Sequence, residues 1–101
     1  MFNLFSVEGN ICRNPEERFL NDKKYISFSI ANDGNSEETC FFEVMAYKPT
    51  EKMAEYMKKG QRIIASGRLV YFTKKDKRYY TLWADRLNLI FAPREKKDNG
   101  E

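Results

Sequence analysis

"CFFEVMAYKPTEKMAEYMKKGQRIIASGRL", Cys40 to Leu69, passes from a strand through a short helix into a second strand. In its first part Phe42, Val44 and Ala46 fall on one side and Phe41, Glu43, Met45 and Tyr47 on the other, the period of an extended chain. Glu43 marks the second side as wet, so the first faces the core. Pro49 then breaks the pattern and Thr50 is placed to cap a helix. Met53, Ala54 and Met57 recur at helical spacing until Gly60 stops it, just after two lysines. The apolar run that follows contains Gly67, where a bulge or sharp bend is expected.

Working outward, "NLFSVEGNI" alternates through Phe5, Val7 and Gly9, with Ser6 and Glu8 opposite, and reads as the first strand. "NPEER" is a turn, because Pro15 fixes its φ. "RFLNDKKYISFSIAND" reads as a hairpin arm, a polar tip and a second strand over residues 25–31. "DGNSEET" has the composition of a flexible loop before the third strand, "CFFEVMAY". The fourth strand is "QRIIASGRLVYFT"; the fifth, "RYYTLWADRLNLIF", follows a basic turn. Five strands with one short helix between the third and fourth make an all-β chain with the element order of an OB-fold, a five-stranded Greek-key barrel. That domain is expected over residues 1–92. A polar, aromatic-free and disordered tail is expected over 93–101.

A chain of 101 residues has room for one core. Its 18 Lys and Arg against 15 Asp and Glu leave a net charge of only +3, so the placement of charge matters more than its total. One Trp, six Tyr and eight Phe exceed what a small core buries, and several rings should stay accessible. Cys12 and Cys40 lack CxxC spacing and there is no histidine to complete a zinc site or a Cys/His pair, so reduced thiols in a cytosolic protein are expected. No phosphate-cradling glycine loop or acidic constellation suggests catalysis, and neither a cofactor nor a metal is expected. The N-terminus lacks the pattern of a signal peptide, and no stretch is apolar enough to span a membrane.

"KKDKRYYTLWAD" places Lys74, Lys75, Lys77 and Arg78 directly before tyrosines and a tryptophan. A solvated turn and the lip of a polyanion-binding groove are both consistent with that juxtaposition. The lip is favoured, because this hairpin flanks the binding face of an OB-fold. Taken together, Asn3, Gly9-Asn10-Ile11, Asn14-Pro15-Glu16, "FSIA", "FFEVMAY", "EYMKKG" and "SGRL" resemble the bacterial single-stranded DNA-binding protein family from Asn3 to about Ile90.

The resemblance implies sequence-tolerant binding of single-stranded DNA by base stacking and phosphate contacts, in replication, recombination or repair, within the cytoplasm and nucleoid. Phe41 and Tyr47 match positions where the family carries stacking aromatics. Tyr71 or Phe72 would add another ring, Tyr71 sharing the side of Leu69. Lys74, Lys75, Lys77 and Arg78 would contact phosphates, with Lys48, Lys58, Lys59 and Arg68 extending the track and Arg13, Lys23 and Lys24 contributing from the opposite end. A homotetramer built as a dimer of dimers is also implied, with Leu4, Trp83, Leu87, Leu89 and Phe91 in excess of one core. Trp83 is expected to pack or to meet another subunit. The ending "APREKKDNGE" lacks the acidic tip through which such proteins recruit replication and repair partners, so a short form that coats strands without that route is expected. An OB-fold adaptor of the primosomal type, acting mainly through protein contacts, is the alternative.

Overall fold

The computed structural model describes residues 1–34, 38–47 and 49–91. The tail expected from residue 93 onward and part of the loop expected after Asn32 lie outside the described residues, as does Lys48.

Six strands and one helix follow one another: β1 (Phe5–Ile11), β2 (Glu16–Leu20), β3 (Lys23–Asn32), β4 (Cys40–Tyr47), α1 (Glu51–Tyr56), β5 (Arg62–Lys74) and β6 (Lys77–Ile90). The sixth strand is the hairpin arm before β3, which pairs with it from Glu16↔Ser27 to Leu20↔Lys23. The strands run in the order β1-β5-β6-β4-β3-β2, and β1 also meets β3 through Asn10↔Ala31 and Ile11↔Ile30, so the sheet closes on itself. Gly9 sits at that crossing. A Cβ there would press on the Ala31 carbonyl and stand 2.7 Å from an Ile30 methyl, so strand closure requires glycine.

The core is built by the expected alternation. Val7 and Ile11 of β1, Phe28 and Ile30 of β3, Val44 and Ala46 of β4, Ile63 and Ala65 of β5, and Leu82 and Ala84 of β6 all point inward and are buried. Each large aliphatic or aromatic side chain among them stabilises the fold by about 1.5–3 kcal/mol through burial. Met57 plugs one end at 3% exposure, and it explains why α1 is shorter than its sequence pattern. The Thr50 side chain caps the start as expected, accepting from the Met53 amide at 3.2 Å. The backbone then leaves helical geometry at Met57, φ −84° and ψ 81°, to drive that side chain into the core, a full turn before Gly60.

Beyond the barrel β5 and β6 continue together as a two-stranded ribbon from Tyr71↔Tyr80 to Lys74↔Lys77. Its tip is the two-residue turn Lys75-Asp76, with φ of 53° and 64°, the left-handed pair that matches hairpin twist. The expected irregularity at Gly67 is present: Ser66 pairs with Arg86 but Gly67 with Ala84, so Asp85 is the extra residue of a bulge.

Candidate nucleic-acid interface

Register decides which side chains share the outer surface of β3, β4, β6 and β5. Tyr25, Ser27 and Ser29 pair with Tyr47, Met45 and Glu43; Glu43 and Met45 pair in turn with Thr81 and Trp83. Trp83 and Thr81 pair with Arg68 and Val70, and Tyr79 with Phe72, all facing outward. The result is a sheet surface with aromatic rings at both ends and polar groups between them.

At one end the Tyr25 ring lies edge-on to both Tyr47, at 5.8 Å between centroids, and Trp83, at 5.4 Å. Tyr47 remains 64% exposed, free to present a face to a planar ligand. At the other end Phe41 is 65% exposed and borders an open hollow of about 420 Å3 with Phe5, Phe42, Glu43, Leu69, Arg78, Tyr79 and Tyr80. Phe41 and Tyr47 lie six residues apart on one strand, roughly 20 Å at the rise of an extended chain. In the middle, Arg13 reaches across β3 and pairs with Glu43 at 2.9 Å.

The ribbon that flanks this surface carries rings on both sides. Phe72 stacks on Tyr79 at 5.4 Å and 22°, on the outer side. Tyr71 shares the opposite side with Leu69, as its spacing requires, beside Tyr80 and with the Arg78 guanidinium 4.4 Å from its ring centroid. Phe72, rather than Tyr71, therefore continues the face that carries Tyr47 and Trp83. Lys74 and Lys77 stand on that same side at the tip, next to the turn residue Lys75, and all three are exposed.

Among the described residues no ion pair involves Lys59, Arg68, Lys74, Lys75, Lys77 or Arg78, whereas Arg18, Lys24 and Arg62 are paired with Glu16, Glu17 and Glu8. Unneutralised cations thus concentrate on the ribbon and, through Arg68, beside Trp83. Lys59 is not brought to this face. It lies in the turn after α1, where its amide donates to the Asn14 side chain at 2.8 Å, in a hollow with Glu55, Tyr56, Lys58, Gly60 and Gln61.

Sequence reading left Phe72 and Tyr71 as alternatives and did not place Tyr25, Tyr79 or Trp83 on one surface with Tyr47. The alternation of Tyr25, Ser27 and Ser29 against Ile26, Phe28 and Ile30 carried part of that signal. Trp83 packs, as expected, but against Tyr25 on the outer surface. Leu87 and Leu89 pack against the core, which leaves Leu4 and Phe91, at 65% and 55% exposure, as the open apolar residues of the set expected between subunits.

The same barrel occurs in known proteins. The structure of a deletion mutant of the single-stranded DNA-binding protein from Thermus aquaticus superposes with a TM-score of 0.74 at 26% identity, covering 96% of this chain and 45% of that one. The mitochondrial single-stranded DNA-binding protein of S. cerevisiae also gives 0.74, at 18% identity, covering 93% of this chain and 99% of that one, a likeness of fold. These neighbours bear out the OB-fold. In sequence, the single-stranded DNA-binding protein of Fusobacterium nucleatum is 36% identical over 77 residues, 66% of this chain and 50% of that protein, so the chain spans about half the length of such curated relatives. A model of the single-strand binding protein family matches residues 2–87, most of the barrel described above, and the chain belongs to that family.

Proposed function

We propose that this chain binds single-stranded DNA with little sequence preference, stacking bases on the exposed rings and holding phosphates with the unpaired cations, and so coats and protects strands during replication, recombination or repair. The observation that carries this reading is the outer surface of β3, β4 and β6, with exposed rings at both ends and a cationic ribbon at its side. Stacking tolerates any base because every base has a π-face, and phosphates carry no sequence information. Exposed Leu4 and Phe91 support assembly as a homotetramer in which one strand contacts several barrels.

Titration with poly(dT) at several salt concentrations, with the mass of the free protein read by light scattering, tests both parts. Affinity should fall steeply as salt rises, because each phosphate contact releases condensed counterions. Duplex of the same length should bind far more weakly. Equal affinity for duplex, or no salt slope, would sink the binding mode; a monomeric mass at micromolar protein would sink the assembly.

Phe41→Ala and Tyr47→Ala test the stacking platform individually. Each should weaken binding by about 1–3 kcal/mol, the range for one base on an aromatic ring. Because both rings are largely exposed, the melting temperature should move by no more than a few degrees. Loss of stability with unchanged affinity of the folded fraction would show that the ring is structural.

A further inference from the structure

Arg13 is held by more than its charge. Its Nε donates to the Ser29 hydroxyl at 3.1 Å, its Nη2 to the Ser27 hydroxyl at 3.2 Å and its Nη1 to the Ser27 carbonyl oxygen at 3.4 Å. Both serines are buried, at 6% and 5% exposure, on a strand whose intervening residues form the core. Their hydroxyls therefore fix the guanidinium against the sheet. Glu43 closes the arrangement: Oε1 accepts from Nη2 at 2.9 Å, and Oε2 accepts from the Ser29 hydroxyl at 2.5 Å.

A carboxylate that takes one hydrogen bond from a guanidinium and one from a hydroxyl uses the donors a phosphate diester would use. Its position sharpens the point. Glu43 lies between Phe41 and Tyr47 on the same strand, two residues from the first and four from the second, so a nucleic-acid strand stacked on both rings must cross it. An unrelieved anion there would repel each phosphate that approached. Glu43 is also the more exposed partner of the pair, with 55% of its side chain accessible against 35% for Arg13, so it can swing into solvent while Arg13 stays.

We propose that Arg13 and Ser29 form a phosphate-binding site at the centre of the face, and that Glu43 is its resident competitor, filling the site in the free protein and leaving when DNA binds. The inference rests on the proposed binding of single-stranded DNA to this surface. Exchange of one anion for another makes the contact weaker than that of a free arginine and keeps the buried serines and the guanidinium partnered in both states. It also lets the protein release a strand more readily.

Glu43→Gln keeps the shape of the side chain and one acceptor oxygen, replaces the other acceptor by an N–H donor and removes the charge. In titrations with a dT oligomer it should tighten binding about fivefold at about 0.1 M salt and steepen the slope of log K against log salt by about 0.7, because no displaced carboxylate offsets the counterion that this phosphate contact releases. Combining it with Arg13→Gln should abolish that gain. Affinity unchanged or reduced in Glu43→Gln would overturn the proposal and leave Glu43 as a support for Arg13. A gain that survives without Arg13 would overturn it too, since relief of general repulsion would then suffice. Absence of binding by the unaltered chain would remove the functional reading itself, whereas equal binding by the two chains removes this inference alone.

Discussion

Replacing Lys74, Lys75 and Lys77 together by glutamine is expected to weaken binding of a dT oligomer by roughly a hundredfold at about 0.1 M salt and to flatten the salt slope by about 2, the share of three phosphate contacts on a single strand. The magnitude follows from where these cations stand. They lie at the tip of the β5–β6 ribbon, exposed and without an anionic partner among the described residues, so counterions condensed on DNA are what they would displace. Arg78 stands on the opposite side of the ribbon over the Tyr71 ring, and Arg78→Gln should instead cost about 0.5–1 kcal/mol of stability with a smaller effect on binding. Fluorescence titration of wild type and triple variant across a salt series measures affinity and slope. An unchanged slope would show that the ribbon makes no phosphate contact.

The largest expected effect on folding comes from a single methyl group. Gly67→Ala should lower stability by about 3 kcal/mol or more, because the new Cβ would press on the Trp83 carbonyl oxygen and stand 2.8 Å from the Ala84 Cα. Both obstacles are backbone, so no rotamer change relieves them. The strands must separate at the bulge where Gly67 pairs with Ala84. For a domain of this size the melting temperature should drop by roughly 12–24 °C, measurable by circular dichroism. A change of only a few degrees would mean that β5 and β6 do not approach closely there.

Gly67 was legible in the sequence as an interruption of an apolar run, and so were the alternation of "CFFEVMAY" and the Thr50 cap. All three depend on neighbours along the chain, which periodicity and capping chemistry describe well. What was illegible depends on distant pairing. The bulge at Asp85 changes which residues of β6 point inward, from Leu82 and Ala84 before it to Leu87 and Leu89 after it, and no local signal places Trp83 beside Tyr25. The centre of the site is assembled from still farther apart. Arg13 comes from the loop after β1, its serines from β3 and Glu43 from β4, each an ordinary polar residue until the barrel closes. The end of α1 was missed for a similar reason, since burial of Met57 overrides the helix-compatible residues around it.

The short side chain of Asn3 has a consequence for the behaviour of the protein in a crowded solution. Phe5 pairs with Gly67, and the same register would place Asn3 opposite Leu69. There the side chain does the pairing: Asn3 Nδ2 donates to the Leu69 carbonyl at 3.0 Å, and the Leu69 amide donates to Asn3 Oδ1 at 3.2 Å. An amide that imitates a peptide group in this way finishes the ladder without extending it. Exposed strand edges are templates on which further chains polymerise, and β5 outruns its neighbour β1 by several residues. Asn3 stoppers the first of those open rungs, and the lysines farther out repel a second copy of the same edge. The ribbon can therefore stay long enough to reach a ligand while remaining a poor seed for aggregation.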